Sequence, residues 1–310
     1  MIPKVKPSVL YESRYCNQDE FDVAVFGGRN KVGCANEFIT ISFPDLKTSV
    51  ERSLIPPRRH LEKTVLIGSE VYIFDRVFNK GVCSSTFEMY SKKTKVFQKL
   101  KFMDKKRKLF SVCSFMNCVY LVGGYSSGCK HTAECYKYEP KNDEWRQISS
   151  LHKERSRPSC SVFEGKIFVT GGYNGDCLKS VEALDYHENK WYILPDMIKC
   201  RRNHSSFTSD RKLFVVGGEH KRCSEVYDSI SRKFAMFSHK LPFIPENENK
   251  TIGFNNKIVS LCECYCFPTC RSNCFDKLRV YSINKKRWIK KEIVLEYDLD
   301  AANLQKVPKQ

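Results

Sequence analysis

Three features of the 310-residue sequence could carry chemistry. The densest is a run of five thiols in 13 positions, Cys262, Cys264, Cys266, Cys270 and Cys274. Such a set could bind zinc or copper(I), or respond to oxidants. Its spacing lacks the paired C-x2-C of a zinc knuckle, so chance enrichment in a chain of 16 cysteines is the plainer account. The second feature, Gly124, Ser126 and Gly128, fits the G-x-S-x-G pattern of serine hydrolases. That chemistry needs a strand, a sharp turn and then a helix presenting the serine, whereas here one apolar strand run is followed by a loop and another. The third feature is cationic: Arg59, Arg107, Arg155 and Arg201 recur every 46 to 48 residues. Guanidinium groups take carboxylates in bidentate fashion, but an arginine at a fixed interval can equally bond backbone carbonyls of a scaffold. The seven histidines assemble neither an H-E-x-x-H motif nor phosphate-loop chemistry. No catalytic set emerges, and an enzyme is not expected.

The arginine interval leads to the elements that carry it. Gly-Gly pairs stand at 27–28, 123–124, 171–172 and 217–218, each behind a short apolar run. Such runs, rich in β-branched and aromatic residues and stopped by glycine, read as buried strands. Two further runs, at 71–74 and 257–261, sit at the same interval with Asp75-Arg76 and Cys262-Glu263 in place of the glycines, which makes six repeats. A second column confirms the register, with residues seven apart: Phe43 and Val50, Tyr90 and Phe97, Tyr138 and Trp145, Leu184 and Trp191, Tyr227 and Phe234, Tyr281 and Trp288. Two-residue turns are expected at Gly68-Ser69, Glu164-Gly165, Asp210-Arg211 and Asn255-Asn256. Each repeat therefore reads as four antiparallel strands with no sustained helical period. One such sheet cannot bury both faces alone, so six must stack radially as the blades of a propeller.

Composition narrows the partners. With 53 basic and 35 acidic residues the formal charge is +18, and 13% aromatics with 41% hydrophobics favour a packed chain over a disordered one. The longest apolar stretch, residues 109–122, is too short and too interrupted to span a bilayer. The first residues are charged at once, so the reading expects no secretory leader, a cytoplasmic location and reduced cysteines that pack as small hydrophobes. A large positive charge invites nucleic acid, but the lysines are dispersed, with no nucleic-acid motif and no basic tail.

The Gly-Gly pairs and the aromatic pair seven apart resemble the Kelch family over about residues 15–295, most strongly in repeats 3 to 5. The resemblance implies an all-β, six-bladed Kelch β-propeller with repeats at about 16–56, 57–104, 105–152, 153–198, 199–241 and 242–295. The glycines are expected to let backbone pass close to the tryptophan of their own repeat. Residues 1–15 are read as a linker whose segment 9–15 is the better candidate for the strand that closes the first blade, and 296–310 as a C-terminal tail, since the stretch 295–304 has poor strand propensity. A lone propeller of this kind resembles the C-terminal part of the kelch-like proteins, which place BTB and BACK domains ahead of it and serve as substrate adaptors of cullin-RING ubiquitin ligases. This chain shows no BTB or BACK, so alone it is expected to bind substrate and to recruit no cullin. Actin binding is the alternative that the resemblance offers. No cofactor is expected.

In that family the binding surface is built from the connections leading into each repeat and from the loops after Gly-Gly. Here the first set holds the basic runs at 58–60, 105–108, 153–157 and 201–204. Candidate partner-binding residues are Arg29, Arg59, Arg107, Tyr125, Arg155, Tyr173, Asn174, Arg201, Arg202 and Glu219. So many cationic loops favour an acidic peptide segment of a protein substrate.

Overall fold

The computed structural model describes residues 61–79, 82–91, 93–103, 107–126, 128, 130–209, 211–219 and 223–238. It also describes strands within 21–52 and 251–294 and the strand at 303–307. The described residues include no helix, hence none long and apolar enough to cross a membrane.

The fourth blade shows why the repeat folds as it does. Its strands are Ser159–Phe163, Lys166–Thr170, Val181–Asp185 and Lys190–Leu194, joined antiparallel in chain order. Glu164 and Gly165 make the first turn with φ of 47° and 70°, the doubly left-handed form that suits a two-residue hairpin. The second strand is apolar without alternation because both of its faces are covered. Ile167 and Val169 pack toward the third blade, with Tyr120, Val122 and Cys135, while Phe168 packs toward the fifth, with Leu213, Val215 and Tyr227. The period of two is thus a choice between neighbours rather than between core and water. The same division places Val119 and Leu121 against the second blade, and Phe214 and Val216 against the sixth.

Six sheets of four or five strands form among the described residues, beside two two-stranded ladders, and the innermost strands of the six make a ring: Leu61–Ile67, Ser111–Phe115, Ser159–Phe163, Ser205–Ser209, Thr251–Phe254 and Asn303–Val307. Each packs against the next, and the last packs back against the first. The columns read from sequence are cross-strand partners: Tyr138 faces Trp145, Leu184 faces Trp191, Tyr227 faces Phe234, Tyr90 faces Phe97 and Tyr281 faces Trp288. The first blade departs, since Val50 stands opposite Ile39 rather than Phe43.

Closure corrects the expectation. The strand beside Phe21–Phe26 is Asn303–Val307, with Asp22 opposite Val307 and Phe26 opposite Asn303, so the last strand of the chain completes the first blade. The segment 9–15, expected in that place, lies outside the described residues. The closing strand begins at the end of the unpromising stretch, at Asn303, and runs beyond it to Val307.

Candidate ligand-binding face

The recurrent arginines resolve into a scaffold role. Arg155 and Arg201 are fully buried, at 0% exposure, and Arg107 is 4% exposed. In each blade one guanidinium nitrogen donates to the carbonyl of the first glycine of the Gly-Gly pair: Arg107 to Gly123 at 3.2 Å, Arg155 to Gly171 at 2.8 Å and Arg201 to Gly217 at 2.5 Å. The same nitrogen donates to the residue that begins or precedes the third strand, at Glu134, Ser180 and Cys223. The other terminal nitrogen meets a carboxylate, Glu134 at 2.6 Å, Glu182 at 2.6 Å and Glu225 at 2.8 Å. Glu182 and Glu225 are themselves buried, and each also accepts backbone N–H groups from the connection into its blade, at His152 and Lys153 and at Ile198 and Lys199. Burial pulls the Arg155 guanidinium below its ordinary value, and the Glu182 carboxylate opposes that pull. The donors of Arg155 and Arg201 are occupied inside the blade, and Arg107 is buried in the same way with only its Nε unpartnered, so the structure shows these three in the scaffold role, one of the two that the sequence left open.

The glycines act at the same seam, and their expected closeness to tryptophan is also corrected. A Cβ on Gly123 would stand 2.5 Å from the carbonyl oxygen of Arg155, and one on Gly171 would stand 2.4 Å from that of Arg201, in the next blade. The following glycine's N–H bonds those same carbonyls, Gly124 to Arg155 and Gly172 to Arg201, both at 2.8 Å. Tryptophan links blades elsewhere: the indole N–H of Trp145 donates to Lys101 and that of Trp191 to Ser149, each on the preceding blade.

One residue beyond each arginine the chain turns outward. Lys108 is exposed and Arg202 half-buried, whereas Ser156, although buried, reaches the wall of the same pocket. The next residues, Leu109, Arg157 and Asn203, hold φ of 57°, 52° and 54° and bond one another around the ring, Arg157 N–H to Leu109 and Asn203 N–H to Arg157. Leu109 and Arg157 of this belt line a pocket of about 350 Å³ between the third, fourth and fifth blades. Tyr125 and Tyr173 form its walls, with His131 edge-on between them at ring separations of 5.0 and 5.5 Å. Lys108 lies over the Tyr125 ring at 5.4 Å and Arg202 over the Tyr173 ring at 4.6 Å, both cation–π contacts. Arg202 also pairs with Glu219, which raises its guanidinium above the ordinary value and fixes its plane on the ring. The side chain of Arg157 also lines the pocket, with no hydrogen bond or ion pair among the described residues.

Of the residues proposed from sequence, Tyr125, Tyr173 and Arg202 come together in this pocket, with Glu219 behind Arg202, and Asn174 is exposed beside it on the loop after Gly172. Arg29 sits in a two-residue strand paired with Gly33–Cys34 in the first blade, away from this cluster in the chain order of blades. Arg59 lies outside the described residues, as do Cys264, Cys266, Cys270 and Cys274, while Cys262 ends the strand Lys257–Cys262. Cys113, Cys118, Cys135, Cys160, Cys177, Cys200 and Cys223 are in no disulfide, and burial pushes the Cys135 thiol up to about 12. Ser126 donates its hydroxyl to the Lys130 carbonyl in a strand and loop with no helix behind it. Lys108, Ser156 and Arg157 fall within the basic runs that the sequence placed on the binding surface, though none was singled out, whereas Leu109 and His131 were not named from sequence as site residues. Alternation alone would have pointed to Lys108, the neighbour of the buried Arg107 in a short strand, while Arg157 turns outward through its left-handed backbone, which the sequence does not announce.

Comparison with curated proteins finds no match. A model of one family, described as the KLHDC2/KLHL20/DRC7 Kelch-repeats domain, matches residues 15–218, which include every residue of the pocket. Repeats of this kind form protein–protein interaction modules, generally non-catalytic. By its six sheets, its arginine and glycine seam and this match, the chain belongs to the Kelch-repeat family of β-propellers.

Proposed function

We propose that the protein is the substrate-recognition propeller of an adaptor for a cullin-RING ubiquitin ligase, and that it holds an acidic segment of its protein substrate at the pocket between blades 3 and 5. The observation that carries this reading is the pocket itself: among the described residues that line it are Lys108, Arg157 and Arg202 and no carboxylate, Arg202 being paired with Glu219 beside it. Cations and tyrosines at the rim of a concave site suit carboxylate-bearing peptides, the cations for charge and the rings for contact area at low entropic cost. In this assembly the propeller supplies the substrate, and BTB and BACK domains supply the cullin contact.

Affinity purification from native cells tests the reading. Cullin together with a discrete acidic protein supports it, and Arg202→Glu should lose that protein. Co-sedimentation with actin filaments, without cullin, would assign the propeller to the cytoskeleton instead.

A further inference from the structure

We propose that the pocket between blades 3, 4 and 5 is a seat for a phosphate monoester, so that the substrate segment is recognised in its phosphorylated form. The inference deepens the reading above and rests on it for the identity of the ligand as a protein segment. Its own support is charge, donor supply and shape.

Among the described residues that line the pocket, Lys108, Arg157 and Arg202 bring three positive charges, and Glu219, paired with Arg202, offsets one. The remaining +2 balances a phosphate monoester, which carries about −1.5 to −2 at neutral pH, and leaves a single carboxylate one charge short. The donors are also divided in a way that suits a many-oxygen anion. Arg202 is held by Glu219 and stacked on Tyr173, so it serves as a fixed positive wall. Arg157 has its whole guanidinium fork to give, and Lys108 is exposed with only a ring beneath its ammonium.

The site is held in shape by bonds that do not consume these donors. Ser156 and Tyr173 exchange backbone hydrogen bonds, N–H to carbonyl at 2.9 and 2.8 Å, which ties the arginine connection to the loop after Gly-Gly. The Ser156 hydroxyl donates to the Tyr173 carbonyl at 3.3 Å, so the Nδ1 of His131, 3.1 Å from that hydroxyl, must be the donor to it. His131 is thereby fixed between the two tyrosines and keeps them apart. The volume of about 350 Å³ falls in the range of sites for small organic groups, and its aromatic walls suit the body of a phosphorylated side chain.

Phenyl phosphate and benzoate, two anions on the same ring, provide the test at fixed ionic strength by calorimetry or amide-resonance titration. Phenyl phosphate should bind at least roughly ten-fold more tightly than benzoate, the margin of one charge-assisted hydrogen bond. Arg157→Asn, which copies the residue that holds the same left-handed backbone at Asn203, and Lys108→Met should each weaken phenyl phosphate several-fold with an unchanged melting temperature. If Arg157→Asn fails to fold, Lys108→Met carries the test alone. Equal affinity for the two anions, or indifference to these substitutions, overturns the proposal. Phosphatase treatment of the captured partner separates the two readings. Capture that survives dephosphorylation but is lost with Arg202→Glu leaves the substrate surface standing and removes the phosphate. Phenyl phosphate binding that depends on Arg157, with partner capture untouched by the same variants, keeps the phosphate seat and removes the substrate surface.

Discussion

Arg201 and Arg202 are consecutive in the chain and live in opposite surroundings. Arg201 has no exposed surface and spends its donors on Gly217, Cys223 and Glu225 inside its own blade. Arg202 lies half-buried over Tyr173 at the pocket, with one carboxylate partner and an open face. The same contrast separates Arg107 from Lys108, and in the fourth blade it separates Arg155 from Arg157, because Ser156 intervenes. A charge of +18 therefore says little about binding until each cation is assigned to the seam or to the rim. The seam cations hold the blades in register. The rim cations alone are available to a ligand.

The seam should be the costlier place to disturb. Arg201→Met leaves the Glu225 carboxylate buried without its counter-charge, and the expected loss is about 3–5 kcal/mol, read from the urea midpoint. Adding Glu225→Met should restore part of that loss, since a buried ion pair and an apolar pair of similar size are often near in energy. The restoration stays partial because the amides of Ile198 and Lys199 lose their acceptor. A single substitution as mild as Arg202→Met would erase the distinction between seam and rim.

Glycine gives the next effect. Gly171→Ala forces a Cβ to 2.4 Å from the Arg201 carbonyl and 2.8 Å from the His204 ring, at a φ of 56°. A cost of about 2–4 kcal/mol follows from the clash and the strained backbone together. Gly165→Ala is the control: its φ of 70° is as unfavourable, but nothing lies within 4 Å, so only about 1 kcal/mol is expected. Equal costs at the two sites would mean that the seam is looser than its distances imply.

How much of this division could be read in the sequence depends on what each residue's neighbours supply. The arginine interval and the Gly-Gly pairs were visible because every blade repeats the same seam, and the aromatic pairs because they stand directly across two strands. The carboxylates were visible too, though unread: Glu182 and Glu225 stand two positions before Leu184 and Tyr227, as Glu88 does before Tyr90. The third blade hides the pattern, since Tyr136 takes that place and lies 4.8 Å from the Arg107 guanidinium, while the glutamate moves back to 134. Burial of the arginines was not legible, because a repeating basic residue looks the same at a seam and at a rim. Nor was the pocket, whose walls come from three blades some 48 residues apart. The closing strand escaped because it follows the last landmark and shares none of the columns.

Acid should find the seam before the rim. His204 is fully buried; the Thr170 hydroxyl donates to the Ser159 carbonyl, so the Nε2–H of His204 donates to that hydroxyl at 2.8 Å, and Nδ1 has no partner among the described residues. Burial, reinforced by the charges of Arg201, Arg155 and Lys63, holds its imidazole well below the ordinary value of 6.5. The folded protein thus binds this proton less readily than the unfolded chain. Stability from this group is complete above about pH 6.5 and falls as the pH drops below it, by up to about 1.4 kcal/mol per pH unit. Urea midpoints measured from pH 7 to pH 5 should show that slope, and His204→Phe should flatten it. An unchanged slope would place the acid sensitivity in other groups.

The smallest effect on stability is the one that most sharply tests the rim. Lys108 is exposed, its ammonium over Tyr125 and its stem along the surface, and it bonds nothing that holds blades together. Lys108→Met keeps the stem and removes the charge, so its urea midpoint should stay within the roughly 0.5 kcal/mol ordinary for surface substitutions. Partner capture should nonetheless fall. Because the lost term is the attraction of an exposed cation, raising the salt concentration should weaken capture by the wild type more than by the variant, until the two converge. A variant that loses stability instead would make Lys108 part of the scaffold. One that keeps both stability and capture would move the ligand away from the mouth that Lys108 shares with Arg157 and Arg202.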